Sequence, residues 1–310
     1  MTTANDNRID ARDWSLLGVL SILWGGSFFF NGVVLRELPP LTLVLLRVAL
    51  ASIILLPLLW VYRIDFPKGV AGWKPFFAIG LFNNVLPFSL IVAGQMTIPS
   101  GLASILNTTT PLFTVVVMAA AGEEKLQARR IAGVVVGLIG VVILRGWNFG
   151  GDGIRSGQGI GILLCLAGAF SYGLSALLAR RLLSNSPPLG TATFQLLASS
   201  IMMMVVAGFI ERPWQLPMPG VATWLAVIGL AVLSTALAYI VFFQILRRSG
   251  ATNVMLVTLL IPVTAIVLGY LVLGEQISPR EIAGTLVIGS ALLLIDGRVL
   301  GLFRRPAVIG

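Results

Sequence analysis

Histidine is absent from the 310 residues, cysteine occurs once, and charged side chains make up only 11% of the chain. The lone Cys165 lies inside an apolar stretch, which excludes a disulfide framework and a cysteine or histidine metal cluster. No metal or cofactor is expected. So few charges beside 57% hydrophobic residues leave too little polar surface to coat a soluble globule of this length. The mean hydropathy of +0.98 agrees, and the chain is read as living in a bilayer. The excess of 21 basic over 12 acidic residues then reports membrane topology, and no nucleic-acid partner is expected. Near the start, Asp6, Asp10 and Asp13 accompany Arg8 and Arg12, and the apolar run that follows lacks a small-residue cleavage site. No signal peptide is read there.

What the chain has in quantity is long apolar runs. A helix needs roughly 20 such residues to cross about 30 Å of hydrocarbon. Ten segments qualify: 14–35, 41–63, 73–95, 98–121, 129–147, 158–182, 190–210, 222–245, 251–274 and 280–302. The connections are short and carry Gly, Pro and charge, as in "RELPP", "GEEKLQARR" and "SNSPP". With the amino terminus in the cytoplasm, fifteen basic residues fall on that side and five on the other, and Arg47 alone lies within the membrane. This bias places both termini, 1–13 and 303–310, in the cytoplasm of a bacterial inner membrane. Trp60, Trp73 and Trp147 lie near segment ends, where interfacial anchors belong.

The two halves repeat each other. Pro39 to Leu41 recurs at Pro187 to Leu189, an offset of 148. Ile79 to Leu81, Gln95, and Ser100 with Gly101 recur as Ile228 to Leu230, Gln244, and Ser249 with Gly250, at offset 149. Pro111, Glu124, Arg129 and Ile131 to Gly133 then match Pro262, Glu275, Arg280 and Ile282 to Gly284 at offset 151. Each unit, 14–147 and 158–302, holds five spans, an odd number, so the second copy enters the membrane from the opposite side. The expected fold is all-α: ten transmembrane helices as two inverted five-helix repeats around a central cavity. Two such halves can exchange conformations and expose a midplane site to either side in turn.

The sequence carriers of a family resemblance are "W-G" at Trp24 and Gly25, "PLFTV" from Pro111, "PVTAI" from Pro262, "GEEKLQARRIAG" and "GEQISPREIAG". With these the chain resembles the drug/metabolite transporter superfamily, specifically its ten-helix exporters with two EamA-type repeats. Within that group it is most similar to bacterial aromatic amino-acid exporters. The resemblance implies a basket in which the first four helices of each repeat surround the cavity while the fifth and tenth stand outside. It also implies export from the cytoplasm.

Candidate site residues are the polar and aromatic groups within the spans. Pro87, Pro111 and Pro262 sit mid-span, where a missing N–H frees the carbonyl four residues earlier, at Asn83, Asn107 and Thr258. Those side chains either satisfy a kinked backbone or form cavity wall beside three hinges. Asn107 and Thr258 are equivalent at offset 151. Trp24, Phe28, Phe29, Phe30, Phe82, Tyr172, Tyr239, Phe242 and Phe243 offer rings for stacking on a substrate, although most are expected to be lipid-facing or packing residues. "GVVVG" from Gly133 to Gly137 fits close helix packing.

Arg47 stands apart, because a charge at that depth costs about 2.5–3.5 kcal/mol on insertion scales. Either it snorkels outward or ties helix-end carbonyls together, or it faces the cavity and offers its fork to a substrate carboxylate. Gln195 is its equivalent at offset 148, and Gln244 is a further candidate. All 12 acids fall in loops, tails or the last turns of spans, so no carboxylate is available at the midplane. Proton-coupled export of cationic drugs, which uses such an acid, is therefore not expected. An intramembrane enzyme is not expected either, for want of a nucleophile with its base. The function read from the sequence is facilitative export of small metabolites, chiefly aromatic and other neutral amino acids, by a chain sufficient as a monomer. The alternatives are an ion-coupled exporter of other amphipathic metabolites or drugs, and a non-transporting scaffold or sensor.

Overall fold

The computed structural model describes residues 10–124, 127–145, 157–184, 186–254, 256–276 and 278–296. Trp147, Lys125, Arg155, the tail segments 1–9 and 303–310, and the expected span end at 297–302 lie outside the described residues.

Among the described residues the secondary structure is helical throughout. The helices are α1 (Ala11–Val34), α2 (Pro40–Val61), α3 (Gly69–Gly80), α4 (Leu86–Gln95), α5 (Ser100–Asn107), α6 (Thr110–Ala120), α7 (Ala128–Arg145), α8 (Gly157–Leu182), α9 (Pro188–Ile210), α10 (Val221–Ala231), α11 (Ala238–Val254), α12 (Val257–Leu268) and α13 (Pro279–Asp296). Wider π-helical turns at Leu81–Val85 and Val232–Leu237 join α3 to α4 and α10 to α11, and a third, Gly269–Leu273, ends α12. Counting joined pieces as one, seven stretches among the described residues are long and apolar enough to cross a membrane. Val257–Leu273 is apolar but shorter. The helices α7 and α13 have 18 residues each and carry charge at both ends, Arg129, Arg130 and Arg145 on one and Arg280, Glu281 and Asp296 on the other. The molecule is a multi-pass helical membrane protein.

Two boundaries differ from the sequence expectation. The span 98–121 is broken at Thr108 and Thr109, so Pro111 opens α6 in its first turn, where a missing N–H is harmless. The connection expected between 245 and 251 is instead helical, since α11 runs on to Val254. In the first half Pro99 precedes α5 and stops the chain from continuing as a helix; its match at offset 149 is Arg248, which has no such effect.

Helix contacts set the bundle. The closest pairs are α7 with α13, α2 with α9, α4 with α8 and α1 with α12. The α7–α13 pair is a close approach through glycine: a Cβ on Gly140 would lie 3.1 Å from the Gly284 carbonyl oxygen, and one on Gly284 would lie 3.0 Å from that of Gly140. Small residues let backbones meet where lipid gives no hydrophobic drive. Leucine-rich cores fill the spaces between helices, with Leu17, Leu20, Ile105 and Ile245 in one and Leu43, Leu55, Leu196 and Leu230 in another. The outer surface is apolar, with Ile22, Ile53, Ile201 and Leu286 all exposed to the lipid layer.

The α4–α8 seam gives a test of this packing. A Cβ on Gly94 would stand 2.9 Å from the Gly161 carbonyl oxygen and 2.8 Å from Cys165 Sγ. Gly94→Leu is expected to cost about 1–3 kcal/mol through overpacking. It should lower the melting midpoint in detergent and open the buried Cys165 to a membrane-permeant maleimide. An unchanged midpoint with Cys165 still protected would mean the two helices do not meet there.

Candidate functional site

The π-helical turns shape the interior. Pro87 denies Asn83 its usual partner, and the helix responds by widening: Leu86 N–H reaches back to the Leu81 carbonyl. Carbonyls near the wide turn are answered from other helices, Phe82 by Ser171 Oγ at 2.8 Å and Gly80 by Ser199 Oγ at 3.2 Å. At Pro111 the freed Asn107 carbonyl accepts from Thr110 Oγ1 at 2.8 Å. Pro262 lies inside α12. The second wide turn contains no proline; there Thr235 Oγ1 donates to the Leu230 carbonyl at 2.9 Å.

Between the halves lies a cavity of about 570 Å³. Its wall brings together Trp24, Arg47, Asn83, Asn107, Tyr172, Gln195, Tyr239 and Thr258 from segments far apart in sequence. Gln244 is not among the lining residues; it is half-buried, as is its repeat partner Gln95. Pro87, Pro111 and Pro262, all buried, are not among the lining residues either. Of the nine aromatic candidates, Trp24, Phe28, Tyr172, Tyr239, Phe242 and Phe243 reach the cavity, more than the sequence led one to expect. Trp24 leans on Phe242 with centroids 5.5 Å apart, and Tyr239 stacks on Phe243 at 6.0 Å. Asn31, Phe88, Ser234 and Thr235 line the wall too and were not singled out in the sequence.

Arg47 is 6% exposed and points into this space, not outward to the interface. Its Nε donates to Thr235 Oγ1 at 3.0 Å, and its guanidinium lies 3.8 Å from the centroid of the Phe88 ring. A cation over an aromatic face is attracted by the ring quadrupole. Among the described residues no carboxylate pairs with Arg47, and its two Nη groups donate to none of them. Nearby runs a neutral network: Tyr239 hydroxyl accepts from Asn83 Nδ2 at 3.1 Å and Gln195 Nε2 at 3.2 Å, and donates to Asn84 Oδ1 at 3.2 Å. Asn83 Nδ2 also donates to Gln195 Oε1 at 3.2 Å, and Asn84 Nδ2 to Ser199 Oγ at 3.0 Å.

The cavity is open at one end and shut at the other. Its lining runs out to Ser184, Ser186 and Pro188 in the α8–α9 connection, where Ser184 and Pro188 are exposed. At this mouth end Glu123 pairs with Arg181 at 2.7 Å, Glu124 with Arg130, and Arg248 with Asp13 at 3.0 Å. The Arg181 hydrogen bond and the charges of Arg181 and Arg180 hold the Glu123 carboxyl below its ordinary range. At the shut end three carboxylates cap helix starts across the two halves. Glu211 accepts from Leu41 N at 3.0 Å, Thr42 N at 2.6 Å and Thr42 Oγ1 at 2.8 Å. Glu275 accepts from Ser100 N at 2.8 Å and Gly101 N at 3.2 Å. Glu37 accepts from Gly220 N at 2.7 Å, which lowers its carboxyl from the usual value.

A buried cation without a counter-ion, aromatic walls and a one-ended cavity in a helical membrane bundle are the makings of a carrier. Residues 14–146 and 159–296 each match the EamA-like transporter family. The chain belongs to that family. It is thus a membrane transporter. An uncharacterized transporter YoaV of Bacillus subtilis is 24% identical over 88% of this chain and 93% of its own. A probable amino-acid metabolite efflux pump of Salmonella typhimurium is 26% identical over 91% and 94%. The uncharacterized inner membrane transporter YedA of Escherichia coli is 27% identical over 94% and 92%. A solved crystal structure with 20% sequence identity superposes with a TM-score of 0.66, covering 95% of this chain and 100% of the other, a likeness of fold.

Proposed function

We propose that this EamA-family protein exports amino acids, aromatic and other neutral ones above all, from the cytoplasm by alternating access. Arg47 carries the reading: a buried guanidinium with unengaged Nη groups, in a cavity of aromatic rings, is a receptor for the carboxylate of an amphipathic substrate. Trp24, Tyr172 and Tyr239 supply faces for the side chain, while Asn83, Asn107, Gln195 and Thr258 supply hydrogen-bonding groups around it. The Salmonella relative named as a probable amino-acid metabolite efflux pump supports the substrate class.

The architecture in this reading is ten spans in two inverted repeats. The helix contacts favour it, since the offset match maps α1–α12 onto α8–α6, and α4–α8 onto α11–α1, while α2–α9 and α7–α13 map onto themselves. The excess of basic residues at the mouth end marks that end as cytoplasmic, so the structure is read as inward-open in a bacterial inner membrane. Pro87 beside its wide turn, Pro111 at the break after Thr109 and Pro262 inside α12 serve as bending points. A single chain forms the whole pathway, and no cofactor takes part.

With no carboxylate facing Arg47 among the described residues, the substrate's own gradient is the source of work. Purified protein in sealed liposomes should exchange labelled for unlabelled phenylalanine by counterflow with no imposed pH difference, and should not concentrate it. Accumulation that needs a proton gradient and collapses with a protonophore would overturn the facilitative mechanism. Exchange of no amino acid would overturn the substrate class.

A further inference from the structure

We infer that Asn31 receives the ammonium group of the substrate, so that the carrier selects zwitterions over plain carboxylates. This rests on the reading of the cavity as an amino-acid route. Asn31 is 2% exposed and lines the shut end of the cavity, as Arg47 and Thr235 do. The orientation of its amide is dictated by the groups behind it. The Phe28 carbonyl can only accept, so Gln95 turns Nε2 toward it at 3.0 Å, and that nitrogen also donates to Ser100 Oγ at 3.2 Å. Gln95 therefore presents Oε1 to Asn31, which answers with Nδ2 at 2.8 Å. Asn31 Oδ1 is left over, buried and without a donor. Reversing either amide would set oxygen against oxygen. Asn107 Oδ1 is also buried without a partner, but no such chain fixes which amide atom it presents, and the likewise unpartnered Ser234 hydroxyl can donate as well as accept, so it selects no donor.

A stranded acceptor needs a donor from outside the protein, and the chemistry of the wall narrows which one. A carboxylate in this wall would share the cavity with Arg47 and compete with the substrate for its charge. A neutral amide oxygen accepts an ammonium while leaving Arg47 available for the substrate's other pole. A lone amine would meet the unneutralised charge of Arg47 and be repelled, so the ligand that suits both groups carries both charges. Asn31 Oδ1 is closed to water in the present state. The contact therefore forms as the shut end parts around the substrate, which makes binding stronger in the opened state. Such differential affinity is what a ligand needs to shift a conformational equilibrium. The same relay reaches the shut end, because Ser100, bonded by Gln95, is one of the residues capped by Glu275.

The test is competition in the liposome exchange assay with the full chain, using labelled phenylalanine. Unlabelled phenylalanine is compared with 3-phenylpropanoate, which has hydrogen in place of the ammonium group. For the unaltered protein, 3-phenylpropanoate should compete on the order of 10- to 100-fold more weakly, as expected for a charge-assisted hydrogen bond. In Asn31→Ala phenylalanine should fall to the level of 3-phenylpropanoate, whose own competition stays the same. Equal competition in the unaltered protein overturns the inference even where Asn31→Ala does not fold. So does a variant in which both compounds weaken together. In either case phenylalanine exchange itself would leave the amino-acid reading standing, whereas no exchange of any amino acid would remove both.

Discussion

Replacing Arg47 by alanine is expected to reduce amino-acid exchange on the order of 100-fold while the protein still inserts and folds. The two halves of that expectation have separate grounds. Removing one partner of a buried ion pair is strongly destabilising because it strands the other charge. No described carboxylate faces Arg47, so alanine strands only the Thr235 hydroxyl, which keeps its bond to the Leu230 carbonyl. Loss of the guanidinium also relieves the cost of holding a charge deep in a membrane protein. Function has no such compensation, since hydrogen bonds to charged groups contribute about 1.5–3 kcal/mol each and the fork offers two. Arg47→Lys retains the charge but not the fork or the Nε bond, and should recover only part of the activity. The diagnostic readout is the substrate's carboxylate: phenethylamine should lose its disadvantage against phenylalanine in Arg47→Ala. Normal exchange by this variant, or failure to fold in both variants, would return Arg47 to a structural role.

Arg47 was legible in the sequence because a charge inside an apolar run needs a reason. The cation's direction was not, since periodicity does not distinguish a lipid face from a cavity face in a helix that is apolar all round. The prolines signalled that the helices at Asn83 and Asn107 are irregular, and each was met by a different device, a π-helical turn at Leu81–Val85 and a break at Thr108 and Thr109. The wide turn at Val232–Leu237 has no proline to announce it, so Ser234 and Thr235 went unmarked as wall residues. Asn31 escaped notice for another reason: its significance lies in which atom Gln95 leaves unpaired, a fact of three dimensions. Gln244 is the converse case, a polar residue marked by a repeat match that is not among the residues lining the cavity. The run of α11 to Val254 shows that two halves related by sequence offset need not break their helices at matching places.

Neutralising the three capping carboxylates is expected to release the shut end of the cavity. Glu37, Glu211 and Glu275 each leave the end of one helix and accept backbone N–H groups at the start of a helix from the other half. A carboxylate at a helix start both satisfies orphan donors and meets the positive end of the helix dipole. These bonds join the two halves at the closed end, so parting that end is expected to break them. Loss of a cap such as Glu211, which holds two N–H groups and a hydroxyl, costs about 1–2 kcal/mol, roughly 5- to 30-fold in a two-state equilibrium. The sign of the pH effect follows from Glu37, whose carboxyl is lowered by the Gly220 N–H. A lowered value means the closed state gains from the ionised form above the ordinary carboxylate range, and loses that gain as the pH falls through the lowered value. Acid at this face should therefore favour opening, in the same direction as Glu-to-Gln substitution. Spin labels on Arg36→Cys and Met218→Cys, both exposed positions flanking the shut end, in a Cys165→Ala background, would report the separation. Glu211→Gln should add a longer-distance population, and the triple variant Glu37→Gln, Glu211→Gln, Glu275→Gln should make it dominant. A distance distribution unchanged in the triple variant, with the fold intact, would show that the caps secure helix ends without holding the cavity closed.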